Sequence, residues 1–393
     1  MSSLQPSTAK AAIRVPSPAA GMTAVVIRPL SAMPPVRVRG KRDDPEPESV
    51  TMRRGAEAIF CAIPARIGLL GNPSDGYNGQ CISSLCRNWR AKCALTPHEN
   101  RWDPSIKIDC AGEILTFDSL AALAENPGDL SHGGLPRLVL GALVHFQDDC
   151  VGSGFAMEAS GFEMVVSTDI PRQVGLAGSS AVTTSVIRCL LTHHGLGTAL
   201  PPHAVADMAL KVETDRLEIH GGLQDRLPQA YNRMLHMDFR EELMDGRGWG
   251  AYSHLDEGLL PEMWIAHAEM GEESGRVHAE LPARWEAQEP VMVRVIRDLA
   301  WCSHRGKEAL EAGDFTTLAE QIDRNFDLRT ELFGEAALGQ NLTMVRLARE
   351  LGSCAKQPGS GGAIIGIIPD EDFMERAKPA FAEHGWTLVR LEM

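Results

Sequence analysis

Between residues 58 and 71 the chain reads AIFCAIPARIGLLG, an apolar run broken by one charge, Arg66. Its Ile and Leu content predicts one or two buried strands. A turn-rich stretch, NPSDGYNG (72 to 79), follows. CISSL (81 to 85) and the alternating IKIDC (106 to 110) read as further strands, and LPRLVLGALVHFQ (135 to 147) has helical spacing. GFEMVVSTDIP (161 to 171) is a strand that runs into PRQVGLAGSS. SAVTTSVIRCLLTHHG (180 to 195) then predicts a helix closed by Gly195. PPHAVADMALKVETDRLEIHGG (201 to 222) predicts another, and MLHMDF (234 to 239) a short strand.

After residue 245 the rhythm changes. MWIAHAE (263 to 269) is a strand, and 289 to 314, 314 to 334 and 341 to 352 are amphipathic helices. The segments 361 to 369, 370 to 385 and 386 to 393 read as strand, helix and strand. A boundary in MDGRGWG divides the chain into residues 57–245 and 246–393, as its 393 residues suggest for two units.

The N-terminus is set apart by charge. Residues 1 to 42 hold seven Lys or Arg and no Asp or Glu, and DDPEPES follows. Residues 1–56 therefore read as a disordered tail or an organellar transit peptide, with the fold starting near Glu57 and a cytoplasmic or imported protein implied. The net charge of −14 argues against nucleic-acid or polybasic membrane binding. It does not bear on a phosphate ligand, whose site is local. The nine cysteines show no C-x-x-C spacing and read as reduced, mostly core thiols. No stretch approaches a membrane span.

Three glycine-rich stretches carry the chemistry. In PRQVGLAGSS, Gly175 and Gly178 let the backbone approach a ligand, and Ser179 or Ser180 can cap the helix that follows. The first-turn amides and the helix dipole then favour an anion. No Walker G-x-x-x-x-G-K-[ST] is present. In QPGSGGAIIGII, Gly359, Gly361 and Gly362 precede a buried strand. In PARIGLLGNPSDGYNGQ, Arg66 needs an anionic partner if buried, and Asp75 lies in a turn where it can shape the loop or bind a ligand. Glu213 on a helix and Asp225 after Gly221-Gly222 add two carboxylates, suited to Mg²⁺ or to the proton of an attacking hydroxyl. His193 and His194, adjacent on a helix, read as capping or surface groups rather than metal ligands. Asn341-Leu342-Thr343 matches a glycosylation sequon by chance.

In chain order, PARIGLLGNPSDGYNG, PRQVGLAGSSA and PGSGGAIIG resemble the first, second and third motifs of the GHMP kinases. With GLQDR, HMDF, ESGRVHAELPARW and RNFDLRTELFG, the chain resembles the plant-type glucuronokinases from about residue 57 to the C-terminus. The resemblance implies an α+β protein of two domains. The first would be an α/β domain with a ribosomal-protein-S5-like core, the second a ferredoxin-like α+β domain, with the active site in the cleft between them. It implies that Pro171, Gly175, Leu176, Gly178, Ser179, Ser180 and Ala181 wrap the ATP phosphates, and that Ser180 and Glu213 hold Mg²⁺. Asp225 would be the catalytic acid–base group and Arg66 its basic companion, together aligning the C1 hydroxyl of D-glucuronate. Asp75 would contact a sugar hydroxyl, and Gly359, Ser360, Gly361 and Gly362 would face the substrate. GLAGSS stands where many superfamily members have GLGSS, and Asn232-Arg233-Met234 where a glycine pair is usual.

A uronate carboxylate calls for an arginine, with Arg172, Arg276, Arg324 and Arg329 as candidates. Kinases for galacturonate, galactose or arabinose, and a silent GHMP-fold sensor of ATP and sugar, are the alternatives. A dinucleotide enzyme or a serine hydrolase lacks its motif.

Overall fold

The computed structural model describes residues 50–52, 58–100, 102–126, 131–154, 160–219, 221–269 and 280–393. The basic N-terminal segment, the expected start at Glu57 and the candidate Arg276 lie outside them.

Eight strands form the first sheet. They are β1 (Val50–Met52), β2 (Ile59–Leu70), β3 (Gln80–Pro97), β4 (Ile106–Cys110), β5 (Glu113–Phe117), β6 (Phe162–Thr168), β7 (Leu235–Asp238) and β8 (Ala251–His254). The order is β1-β2-β3-β6-β4-β5, with β7 on the first half of β3 and β8 on β7. Only β4 and β6 pair in parallel. Because β8 belongs here, the first sheet extends past residue 245, where the sequence suggested a boundary. Helices α1 (Leu120–Glu125), α2 (Gly134–Gly152), α3 (Gly178–His193), α4 (Pro202–Lys211), α5 (Leu223–Tyr231) and α6 (Glu241–Arg247) complete this part, with α3 packed on β2 and β3.

The second sheet has three antiparallel strands, β9 (Met263–His267) between β10 (Ala363–Ile367) and β11 (Thr387–Arg390). With them come α7 (Leu281–Glu286), α8 (Pro290–Ala312), α9 (Phe315–Phe333), α10 (Glu335–Leu338), α11 (Gln340–Glu350) and α12 (Phe373–Ala382). Trp264 of β9 is fully buried between Phe373 and Phe381 of α12. The molecule is therefore the mixed α+β fold expected. No described helix is long and apolar enough to cross a membrane. All nine cysteines are free and buried.

Strand β2 explains how the two sheets join. From Ile59 to Ala62 its burial alternates, but from Ile63 to Leu70 every residue is buried. A strand reads this way when both of its faces are covered. Helix α3 covers one face, and α8 covers the other, with Gly306 set so close to Leu70 that a Cβ there would lie 2.0 Å from Leu70 Cδ1. β1 pairs only with Ile59 to Cys61, leaving the edge of β2 beyond it unpaired by strand. Two loops take that edge. The Arg66 amide donates to Leu176 O at 3.0 Å, and the Gly68 amide donates to Pro358 O at 2.8 Å.

β3 is much longer than the CISSL reading. Its register on β2 jumps between Pro64 and Ala65, which turns residues 87 to 89 out of the ladder. The chain end docks there. The Arg87 amide donates to Glu392 O at 2.8 Å, Asn88 Oδ1 accepts the Glu392 amide at 2.9 Å, and Asn88 Nδ2 donates to Arg390 O at 2.9 Å.

Candidate active site

The two loops that close the edge of β2 are the second and third glycine-rich stretches. They also touch each other. A Cβ on Gly359 would stand 2.1 Å from Gly175 O, and one on Gly175, at φ +76°, would stand 2.8 Å from the Ser360 amide. Both positions therefore require glycine. The three motifs meet at one point because one strand edge binds two loops.

Helix α3 starts at Gly178, earlier than the serines. Its N-cap is Ala177 in the left-handed region (φ 59°), with no side-chain cap. Neither Ser179 nor Ser180 caps the helix, because both lie inside its first turn. The first helical bond is that of the Ala181 amide to Ala177 O, so the amides of Gly178, Ser179 and Ser180 are free for an anion. Leu176 and Ala181 are buried and offer only backbone; Arg172 is exposed.

Consecutive helical side chains diverge by about 100°, and this separates the two serines. Ser179 Oγ donates to Glu213 Oε2 at 2.8 Å. Ser180 is fully buried and turned inward, donating to Ala177 O at 3.1 Å and to Gln229 Oε1 at 2.6 Å. The expected pair Ser180–Glu213 is thus replaced by Ser179–Glu213. Gln229 in turn donates to Pro64 O at 3.0 Å and Ala177 O at 3.1 Å, tying α5 to β2 and the loop.

Glu213 does not sit on a regular helix. Residues Val212–Arg216 form a π-helical turn after α4, a local widening that redirects a side chain. Its carboxylate is buried. Oε2 accepts from Arg226 Nη2 at 2.7 Å, while Oε1 has no hydrogen-bond partner among the described residues. A hard cation fits that orphaned oxygen together with the Ser179 hydroxyl. Among the described residues no group of three or more His, Cys, Asp or Glu could hold a metal alone. Such an ion would draw its other ligands from phosphates.

Asp225 lies in the first turn of α5. Arg66 Nη2 donates to its Oδ1, and Arg226 Nη1 lies 3.5 Å from its Oδ2. Arg66 Nη1 also donates to Pro358 O at 2.6 Å and reaches Gly175 O at 3.4 Å. One buried guanidinium thus spans the catalytic candidate and both loops. Arg226 donates to Gly222 O at 2.7 Å, and Gly221 leaves it room. Asp75 reaches the same place from the short 3-10 turn Ser74–Tyr77. Its Oδ2 accepts the Gln224 amide at 3.3 Å, and a Cβ on Gly222 would strike it. Burial, and then the neighbouring Asp225, push Asp75 up to about 6 from its ordinary 3.8. Asn232, left-handed at φ 52°, closes α5 in place of a glycine.

The third loop is held by residues whose role the sequence did not disclose. Asn341, in the apparent sequon, is buried; it donates to Ala363 O at 3.0 Å and accepts the Gly362 amide at 2.9 Å. Ser360 alone is exposed between Ser353 and Ile365. Arg329 of α9 is buried, donating from Nε to Gln357 Oε1 and from Nη2 to Gly359 O, both at 3.2 Å. Arg324 faces outward, 3.9 Å from Asp298. The histidine pair takes no part: His194 stacks on Phe146 and His193 packs edge-on against Phe162, with 4.7 Å between the two histidine rings.

Residues 137–233 match the family model described as the GHMP kinases N terminal domain. The chain is 37% identical over 332 residues to "Probable glucuronokinase 2" of Arabidopsis thaliana, covering 83% of this chain and 89% of that one. It is 34% identical over 307 residues to "Glucuronokinase 1" of the same plant, covering 78% and 84%. Among solved structures, Lactococcus lactis galactokinase in complex with galactose superposes with a TM-score of 0.69 at 15% identity, covering 86% of this chain and 94% of that one.

Proposed function

Since the chain belongs to the GHMP kinases and is glucuronokinase-like, a kinase acting on an alcohol acceptor, we propose that it transfers the γ-phosphoryl group of ATP to the C1 hydroxyl of D-glucuronate. The observation that carries this reading is the pair of buried Arg66 and half-buried Asp225 at the junction of the three glycine motifs.

The free amides at the start of α3, with the left-handed turn before them, would cradle the nucleotide phosphates. Ser179 and Glu213 Oε1 would hold Mg²⁺, which when bound neutralises charge between the β- and γ-phosphates. Asp225 would accept a hydrogen bond from the C1 hydroxyl, its orientation fixed by Arg66. The C1 oxygen forms a bond to the γ-phosphorus while the bond from phosphorus to the β,γ-bridging oxygen breaks. ADP leaves, and the hydroxyl proton passes to Asp225, giving glucuronate 1-phosphate. Asp75, on the same side and pinning the α5 amide next to Asp225, would meet a sugar hydroxyl.

The test is ADP release with ATP and Mg²⁺ on D-glucuronate, D-galacturonate, D-galactose and L-arabinose. Glucuronate should be turned over, and Asp225→Asn should lower kcat by about 10³-fold with ATP affinity kept. Turnover of galactose or arabinose in its place would overturn the substrate, and full activity in the Asn variant would overturn the role of Asp225.

A further inference from the structure

Four cations lie buried around the three loops: Arg66, Arg226, Arg329 and Lys356. The first two are paired, Arg66 with Asp225 and Arg226 with Glu213. The other two touch no carboxylate among the described residues. Lys356 is fully buried, and its ammonium donates to Gly68 O at 2.7 Å, Asn72 Oδ1 at 2.7 Å and Gln357 O at 2.8 Å. Arg329 donates to the Gln357 side chain, to Gly359 O, and lies with its guanidinium carbon 5.4 Å from the centre of the Phe333 ring. Its Nη1 makes no hydrogen bond among the described residues. One residue, Gln357, thus holds both charges, the lysine by its carbonyl and the arginine by its amide.

Buried charges are ordinarily paired, because neutral acceptors recover only part of the lost hydration. Both groups show that deficit. Burial, and then Arg66, bring Arg329 down to about 10. Burial, and then Arg329, hold Lys356 well below the usual lysine range. Two like charges therefore share one dry spot, with neutral oxygens and, for Arg329, the Phe333 ring as their direct partners among the described residues.

The place of the surplus matters. Arg66 grips Pro358 O beside Asp225, and Arg329 grips the next carbonyl, Gly359 O. The uncompensated charge stands one loop residue from the carbonyl that Arg66 holds beside Asp225. Glu213 is tied to the same place through Arg226, next to the Ser179 hydroxyl.

We propose that Arg329, backed by Lys356, is the seat of an acceptor's carboxylate. This rests on the uronate reading above. The carboxylate would take the free Nη1 and join or displace the Gly359 carbonyl on Nη2. Lys356 acts through Gln357 and the field it adds, as a positioning residue. A neutral hexose would leave both cations unneutralised, so the charge of the sugar, more than the configuration of its hydroxyls, decides acceptance.

D-glucuronate and its neutral, near-isosteric amide D-glucuronamide give the test. kcat/KM is measured for both on the wild type, Arg329→Gln, Arg329→Lys and Lys356→Met. Calorimetric affinities for both sugars are taken with a non-hydrolysable ATP analogue present, and binding of that analogue reports the fold. The wild type should prefer the acid by about 100-fold. Arg329→Gln should lose about 100-fold on the acid, mostly in KM, and less than about threefold on the amide. Lys356→Met should narrow the preference about tenfold, and Arg329→Lys should fall between wild type and Gln. Equal losses on both sugars, or a wild type that does not distinguish them, would overturn the subsite. Should Arg329→Gln not fold, the wild-type ratio and the Lys variant decide. If no sugar is turned over, the kinase reading fails, and calorimetry alone then judges the subsite. Binding of the acid over the amide, lost with Arg329, upholds it; equal binding sinks it.

Discussion

Of the four buried cations around the three loops, two have an acid: Arg66 holds Asp225, and Arg226 holds Glu213. The other two, Arg329 and Lys356 around the third loop, lean on carbonyl and amide oxygens and, for Arg329, on the Phe333 ring. Paired charges are machinery complete before any ligand arrives. They fix two carboxylates in place and leave little net field. Unpaired charges are a deficit held in reserve, and only an incoming anion removes it. The difference marks which pair is built to react and which is built to choose.

The comparison breaks most visibly through stability. Arg226→Met should cost about 3–5 kcal/mol, because it strands the Glu213 carboxylate out of water. The double variant Arg226→Met/Glu213→Gln should recover much of that loss in denaturant melts. Lys356→Met should cost less than Arg226→Met. It orphans three acceptors but removes an unpaired charge. The wild type should also gain stability toward alkaline pH, up to about 10.5, where the folded protein binds fewer protons at Lys356 than the unfolded chain does; the Met variant should not. A Lys356 variant as damaged as Arg226→Met would erase the distinction.

Asp75 gives a smaller effect of opposite sense. Its folded value of about 6 lies above the ordinary 3.8, so the folded state retains a proton that the unfolded chain has released. Stability should therefore fall by about 3 kcal/mol in all as pH rises from about 3 to 7. Asp75→Asn should flatten that slope, and an unchanged slope would remove Asp75 from the acid-dependent groups.

The smallest contrast separates neighbouring serines. Ser180→Ala should lower stability by about 1–2 kcal/mol through the orphaned Gln229 oxygen, with little change in the Mg²⁺ concentration for half-maximal rate. Ser179→Ala should raise that concentration and leave the melting curve nearly in place. Exchanged outcomes would restore Ser180 as the ligand.

The order of elements was legible because glycine clusters and apolar runs are local signals. Arg66 stood out for the same reason, as one charge in an apolar strand. Which serine faces Glu213 was not legible, since it depends on a helix that starts at Gly178 behind a left-handed Ala177. The π turn under Glu213 left no mark in the helical pattern of 201 to 222. Nothing in the sequence sets Arg226 or Lys356 apart, and Asn341 drew notice only as part of a chance sequon. Only the third dimension shows that they meet other segments 13 to 288 residues away.

The docking of residues 390–392 onto the turned-out segment 87–89 has a mechanical consequence. The second sheet is moored to the first at both ends of its own stretch of chain, after β8 and again at the terminus. Between these two ends α8 lies on one face of β2 and the third loop on its edge, so the second sheet cannot swing freely on one tether and relative motion should be small. A fusion partner attached beyond Met393 would load the second mooring directly, so an affinity tag belongs at the other end of the chain.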